Sequence, residues 1–312
     1  MNKVRKIKSK VGRLIRGNRE LEMRIRKLER ENAEILDSYN ILFNNLYVFH
    51  ELTPKRLVVQ SRELVLEMLD FIDNVCKKHG IEWWLYGGSL LGAYRHGGFI
   101  PWDDDCDINM MRCDYEKFLD VVRAEVKSYG LEDNLLVKNT AKAGGKITPF
   151  TKLDYWVEDD LIGFVDVFPT DYVEKITDDL KEKYLEEHKR FRVEINAGAD
   201  RRELLKSTFQ KLNLTTEKCD HVMTSIEDSD FSFGVYETDE MFPLSTIGFE
   251  SREYPCPKNP VHYLEYRYGD YLKVPKKVEI HDFHHRLLKT ENIHEILERE
   301  IDRLHKINEN FE

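Results

Sequence analysis

Residues 83–117, WWLYGGSLLGAYRHGGFIPWDDDCDINMMRCDYEK, decide the fold. They hold a Gly-Gly-Ser turn at Gly87, Gly88 and Ser89, a basic pair at Arg95 and His96, and then Asp103, Asp104, Asp105 and Asp107. Residues 81–86 read as a short apolar strand. Residues 89–94 then begin a helix, whose first backbone N–H groups can face an anion. Residues 106–111 read as a second strand. Side chains two apart on a strand share a face. Asp105 and Asp107 therefore project together, joined by Asp103 if the chain is already extended there, while Cys106 and Ile108 point into the core. Carboxylates that close repel one another unless a cation lies between them, and a hard dication such as Mg²⁺ or Mn²⁺ suits oxygen ligands. Taken singly, a run of Asp is commonly a solvated turn and a lone Gly-Gly-Ser says little. Together they predict a phosphate cradle beside a carboxylate metal site.

The chain has 312 residues and a net charge of −10, enough for one large domain plus an appendage. The acidic balance argues against a general nucleic-acid binder. Residues 1–16 nevertheless carry Lys3, Arg5, Lys6, Lys8, Lys10, Arg13 and Arg16 and no acid. That basic end could touch anionic lipid, at about 1 kcal/mol per charge near the surface, or simply be solvated. Five cysteines without a C-x-x-C pair fit reduced thiols better than a disulfide frame or a zinc site. No apolar run approaches the roughly 20 residues needed to cross a bilayer. A cytoplasmic protein is expected, possible contact with the inner face of the plasma membrane resting on the basic end.

Upstream, the heptad pattern is clean. Val4, Val11, Asn18, Ile25, Asn32, Tyr39 and Leu46 fall at a; Ile7, Leu14, Leu21, Leu28, Ile35, Leu42 and Phe49 fall at d. This predicts a coiled coil over residues 1–50, formed as a parallel homodimer through 4–49, with Asn18 and Asn32 fixing register. Packing of the same helix on its own chain is the alternative. Gly12 and Gly17 each weaken the first turns by about 1 kcal/mol relative to Ala.

Downstream, residues 54–312 read as one catalytic domain. Thr53 can cap a helix over 58–79 that buries Leu64, Met68, Phe71, Ile72 and Val75 and ends at Gly80. A helix over 114–129 follows, then strands at 135–138 and 151–156 around a Gly144-Gly145 turn. Residues 161–168 form a strong strand ended by Pro169, with Asp166 inside it and Asp171 beyond it as a turn or cap. A buried charge needs a partner. For Asp166 that partner is either the metal held by Asp105 and Asp107 or a basic group, Lys152 or Arg95. Residues 177–225 read as a charged helical insertion and 231–275 as a packed aromatic hairpin. Of His281, His284 and His285, no metal site is expected. A closing helix covers 290–307.

The string GGSLLGAYRHGGFIPWDDDCDI, with Asp166-Val167-Phe168-Pro169 and the Tyr266, Tyr268, Gly269, Asp270, Tyr271 segment, resembles the LicD family, which includes the fukutin-related transferases. The resemblance covers about residues 55–285. It implies an α+β fold, a nucleotidyltransferase-like mixed sheet with flanking helices, here preceded by the long N-terminal coiled-coil helix. It also implies transfer of a phospho-alcohol, phosphocholine first among them, from a CDP-activated donor to a hydroxyl of a cell-surface glycan or its lipid-linked precursor. That is the chemistry of lipopolysaccharide or teichoic acid modification. The cysteine/histidine zinc element of fukutin-related members is not seen, so zinc is not carried over. In this setting Asp105, Asp107, Asp166 and Asp103 are the expected catalytic and metal-binding carboxylates, with Mg²⁺ or Mn²⁺. Gly87, Gly88, Ser89, Arg95 and Lys152 are the expected donor-phosphate ligands. Either Asp166 or Asp103 could serve the acceptor hydroxyl. For a choline donor, Trp83, Trp84, Tyr86, Trp102, Tyr155 and Trp156 are the aromatic residues available for a cage. Two other readings stay open. One is a nucleotidyltransferase moving NMP from an NTP to a sugar phosphate or protein. The other is a non-catalytic coiled-coil scaffold.

Overall fold

The computed structural model describes residues 2–48, 54–139, 141–143, 146–228, 233–274 and 283–312, with residues 2–20, 47, 141–143 and 146 described by their backbone alone. Thr53, Phe49, the Gly144-Gly145 turn, His281 and the ends of the aromatic stretch lie outside the described residues. The chain divides into two compact units, Met1–Leu52 with Leu272–Glu279, and Thr53–Tyr271 with Ile280–Glu312.

The first unit is built on one helix, α1 (Asn2–Val48). The second opens with α2 (Arg56–His79), whose Leu64, Met68, Phe71, Ile72 and Val75 are all fully buried. Each such side chain stabilises the fold by about 1.5–3 kcal/mol. Gly80 ends the helix at φ +59, with its N–H on the carbonyls of Cys76 and Lys77. Only glycine takes that conformation without strain. Next come β1 (Trp84–Leu85), α3 (Gly87–His96), β2 (Asp107–Met111) and α4 (Arg112–Ser128). They are followed by β3 (Leu135–Lys138), β4 (Ala141–Ala143), β5 (Lys146–Thr148), β6 (Thr151–Val157) and β7 (Asp160–Val173). Then run α5 (Leu180–Asn196), α6 (Arg201–Leu212), β8 (Leu214–Thr215), β9 (His221–Thr224), β10 (Val235–Glu237) and α7 (Thr238–Met241). The hairpin β11 (Ser245–Phe249) and β12 (Arg252–Cys256) precedes α8 (Pro260–Tyr268), α9 (Phe283–Leu287) and α10 (Ile293–Glu309).

The central sheet runs β1-β2-β7-β6-β3, with β8, β9 and β10 joined at the far end of β7. Only β2 and β7 pair in parallel among these strands. The fold is thus α+β with a mixed sheet and flanking helices. Cys106 and Ile108 are fully buried, as the strand alternation requires. One core fills the space between the sheet and α2, α4 and α10. A satellite core gathers Tyr184, Phe191, Leu204 and Leu212 of α5 and α6 with Val173, Met223 and Ile226.

Four local expectations are corrected. Pro169 does not end its strand: β7 continues to Val173. On one side β6 pairs β7 up to Val167, and β9 takes over from Thr170. Pro169 falls between those partners, where its missing N–H leaves no ladder bond unmade on that side. Asp171 is consequently neither turn nor cap but a fully buried strand residue. The predicted helical insertion ends at Leu212 with Asn213 in the left-handed region at φ +52, and the chain returns to the sheet as β8 and β9. The aromatic hairpin is β11–β12, whereas the Tyr-rich segment after it is helix α8, started by Asn259 as cap with Pro260 in the first turn.

Candidate active site

Parallel pairing sets Asp107 directly beside Asp166 in the β2–β7 register. The Asp166 N–H donates to Cys106 O at 2.9 Å, extending the contact one residue upstream. Asp105, Asp107 and Asp166 bring carboxylate oxygens within 4.8 Å of one another, and Asp103, Asp104 and Asp105 form a second such group. Asp105 belongs to both. Asp103 therefore groups with Asp104, a buried residue that alternation had left out, rather than with Asp107.

Helix α3 starts two residues earlier than predicted, and its first turn abuts these acids. Tyr86 N–H donates to Asp107 O at 3.0 Å, and Asp107 N–H donates to Ser89 Oγ at 2.8 Å. Gly87 has φ +51, and a Cβ there would lie 2.9 Å from Asp107 Oδ2; a Cβ on Gly88 would lie 2.9 Å from Asp103 Oδ2. The two glycines thus allow the positive end of α3 to approach the carboxylates closely. Ser89 fixes the backbone of the Asp-bearing strand.

The charge balance at the site is negative. Burial pushes the Asp107 carboxyl well above the ordinary carboxylate range, and repulsion from Asp105, Asp166, Asp103 and Asp228 adds to it. Burial also raises Asp166, to about 7, with Lys152 opposing and Asp105 reinforcing the rise. The Lys152 ammonium lies 2.5 Å from Asp166 Oδ1 and 2.6 Å from Oδ2. The structure therefore combines the two partners considered for Asp166, with Lys152 beside it and the Asp105–Asp107 pair within ligand distance. A trio of oxygen donors that repel one another in a partly buried setting fits a hard divalent cation.

Arg95 sits apart, in the last turn of α3, roughly 12 Å along the helix axis from Gly87. It donates from Nη1 to Tyr271 O at 2.9 Å and from Nε to His96 Nε2 at 3.0 Å, and its guanidinium lies 6.0 Å from the Trp102 ring centre. Burial, then Arg95 and Arg62, depress His96 to about 4, which keeps the ring neutral and able to accept. Of the aromatic candidates, Trp83, Trp84, Tyr86 and Tyr155 are buried, whereas Trp102 and Trp156 are half-buried. Trp156 already faces Lys138, whose amine is 4.9 Å from the ring centre.

Sequence reading missed a buried constellation next to Asp107. Tyr86 Oη donates to Asp228 Oδ2 at 2.7 Å and accepts from Arg267 Nη1 at 3.0 Å. Arg267 stacks over Tyr86 at 4.8 Å. Tyr266 and Tyr268 on either side of it are exposed. The only available signal was a lone Arg between tyrosines, because its partners lie far away in sequence. Asp228 follows Glu227, which anchors a second buried network. Arg112 holds Asp171 in a bidentate pair at 2.7 and 2.8 Å and Glu227 at 2.5 Å, while Arg201 holds Glu227 from the other side at 2.5 Å. A cavity of about 1150 Å³ opens at the opposite end of β2, beside Met111, Cys113, Asp114 and Cys219; none of the site carboxylates lines it.

Residues 80–197, which span α3, both Asp-bearing strands and α5, match the family described as LicD/FKTN/FKRP, nucleotidyltransferase domain. The lipopolysaccharide cholinephosphotransferase LicD of Haemophilus influenzae is 28% identical over 252 residues, covering 71% of this chain and 94% of that protein. The ribitol 5-phosphate transferases FKRP of Mus musculus and Homo sapiens are each 48% identical over 44 residues, covering 14% of this chain and 9% of theirs. Paired with the carboxylate strands and the Gly-Gly-Ser helix start, these matches identify residues 80–197 as a LicD-like nucleotidyltransferase domain.

Proposed function

We propose that this chain transfers a phospho-alcohol, with phosphocholine as the favoured group, from a CDP-activated donor to a hydroxyl of a cell-surface glycan or its lipid-linked precursor. The carrying observation is the Asp105–Asp107–Asp166 trio, set by the β2–β7 register. The similarity to a cholinephosphotransferase along nearly that protein's whole length favours choline over ribitol. In this reaction the acceptor oxygen attacks the phosphorus bearing the alcohol, the bond from that phosphorus to the CMP oxygen breaks, and CMP leaves with the electron pair.

Asp105, Asp107 and Asp166 would hold Mg²⁺ or Mn²⁺, which when bound neutralises charge on the donor diphosphate. The protein's own groups do the rest. Gly87 and Gly88 let the α3 N-terminus face the anionic centre, and Ser89 keeps Asp107 in register. Lys152 balances Asp166 and stands ready for a phosphate oxygen. Asp103, outside the trio, takes the acceptor's hydroxyl proton. Arg95 lies further along α3 and suits the far end of the donor or a phosphate on the acceptor. Trp102, half-buried with the Arg95 guanidinium 6.0 Å from its ring centre, is our candidate aromatic face for a quaternary ammonium.

Among the described residues no helix is long and apolar enough to cross a membrane. In our reading the seven cationic side chains of residues 1–16 bring the protein to the inner face of the plasma membrane.

The family description keeps one other chemistry in view: NMP transfer from an NTP. Incubating the protein and Mg²⁺ with CDP-choline, CDP-ribitol, CDP-glycerol and the four NTPs, with a glycan acceptor extract, separates the two. CMP release from a CDP-alcohol supports our reading and names the alcohol. Pyrophosphate release from an NTP replaces it with nucleotidyl transfer.

A further inference from the structure

The long helix α1 leaves its apolar seam open. Leu21, Ile25, Leu28, Ile35, Tyr39, Leu42 and Leu46 occupy a and d positions and are 40–63% exposed. The part-covered residues near the end of the helix are Asn40, Phe43, Asn44 and Val48, which fall at b, e, f and c. Asn44 Oδ1 accepts the N–H of Val274 at 2.9 Å, so the chain's own return segment binds on the f side. Among the described residues of its own unit, the cover of α1 thus falls away from the a/d seam. A helix of 47 residues with seven exposed apolar seam residues is not stabilised by propensity alone.

Two features identify what covers the seam. Asn32 interrupts it at an a position and is exposed. Against an unrelated apolar surface its amide would be buried without a partner. Where a meets a′, as in a parallel in-register pair, the amide meets its own copy and bonds to it. Arg24 at g and Glu29 at e carry the second feature, since in the same arrangement g of one chain reaches e of the next heptad on its partner. Within one helix these two point apart, and among the described side chains the ion pair along α1 is instead Lys27–Glu31, from c to g at 3.6 Å.

We propose that the a/d face of α1 takes a second copy of this chain, forming a parallel, in-register, two-stranded coiled coil with Asn32 paired to Asn32 across the axis. This does not depend on the transferase reading. It assigns Asn32 the role of register pin, and the sequence pattern continues it to Asn18 in the part of α1 described by backbone alone.

Sedimentation equilibrium on the full chain at micromolar concentration tests it. The expected mass is twice the 37.1 kDa of one chain. Leu28→Glu/Ile35→Glu should halve that mass while keeping the thermal midpoint of the remaining fold. Asn32→Cys tests the register independently of that variant. On mild oxidation it should yield a disulfide-linked dimer far in excess of wild type, whose five native cysteines set the background. A wild-type mass of one chain at tens of micromolar would overturn the dimer. A dimer in which Asn32→Cys cross-links no better than wild type would overturn the parallel register.

Discussion

Replacing Arg112 with Met should destabilise the catalytic unit severely, and the structure says by how much. The guanidinium makes a bidentate pair with Asp171, donates to Glu227 and reaches Ser225 Oγ at 2.9 Å. Both carboxylates are fully buried. Burial works against the Arg112 charge, yet Asp171 and Glu227 hold its pKa well above the ordinary value. Methionine keeps most of the aliphatic volume, so packing loss is small. Glu227 retains Arg201, at 2.5 Å from Nε and 3.2 Å from Nη2. Among the described residues Asp171 has no ion-pair partner besides Arg112, and one orphaned buried carboxylate costs about 3–5 kcal/mol. A domain's whole stability is about 5–15 kcal/mol. At roughly 2–4 °C per kcal/mol for a domain of this size, the midpoint should fall by about 10 °C. Thermal melts of purified wild type and Arg112→Met measure this directly. Adding Asp171→Asn to Arg112→Met removes the orphaned charge and should recover a good part of the loss. A drop of under about 1 kcal/mol, or no recovery in the double variant, would refute the view that this network is a paired buried charge system.

Other perturbations have equally definite outcomes. Millimolar Mg²⁺ should raise the thermal midpoint of wild type and leave Asp105→Ala/Asp107→Ala unchanged, as mass action on a site lost with its ligands requires; equal shifts would argue against the carboxylate trio as the cation site. Gly92→Ala places a Cβ 2.4 Å from the Gly98 carbonyl oxygen. The gain of about 1 kcal/mol in helix propensity is outweighed by overpacking of about 1–3 kcal/mol, so a urea melt should show a net loss. His96 should titrate near 4 rather than its ordinary 6.5, because burial and its arginine neighbours disfavour the charged ring. Its ring NMR signal should stay at the neutral position from pH 8 to 6. Because the unfolded chain takes up this proton first, the stability tied to neutral His96 is whole above pH 6.5 and is lost as the pH falls towards 4. A titration midpoint near 6.5 would contradict the buried Arg95–His96 contact.

The elements nearest the site were the most legible in sequence. Helix α2 and its Gly80 stop are local matters of 3.6-residue periodicity and one left-handed residue. The Asp-bearing strands announce themselves because a charged residue inside an apolar run is conspicuous at positions 107 and 166. What the sequence could not reveal is which strands pair. Pro169 reads as a strand end until β6 and β9 are seen to share the edge of β7 on either side of it. Asp171 then changes from a cap to a buried partner of Arg112, which lies 59 positions away. Tyr86 and Asp228 are 142 positions apart, so no local pattern could join them. The Gly87–Ser89 segment was legible as a helix start. That its glycines abut Asp107 and Asp103 follows only from the return of the chain through residues 97–105. Helix α8 was obscured by its aromatic content, which suits strands equally well. Its Asn259-Pro260 start was the better signal.

The most direct test is CMP release from CDP-choline with acceptor glycan present, measured side by side for wild type and for Asp105→Asn, Asp107→Asn and Asp166→Asn, each verified as folded by its thermal melt. Asn keeps the shape of each side chain and removes its charge. Wild type should release CMP in proportion to phosphocholine incorporated into the glycan, and each variant should fall by at least a hundredfold, about 2.7 kcal/mol of transition-state stabilisation. Wild-type rates in all three folded variants would contradict the placement of the reaction at the β2–β7 carboxylates.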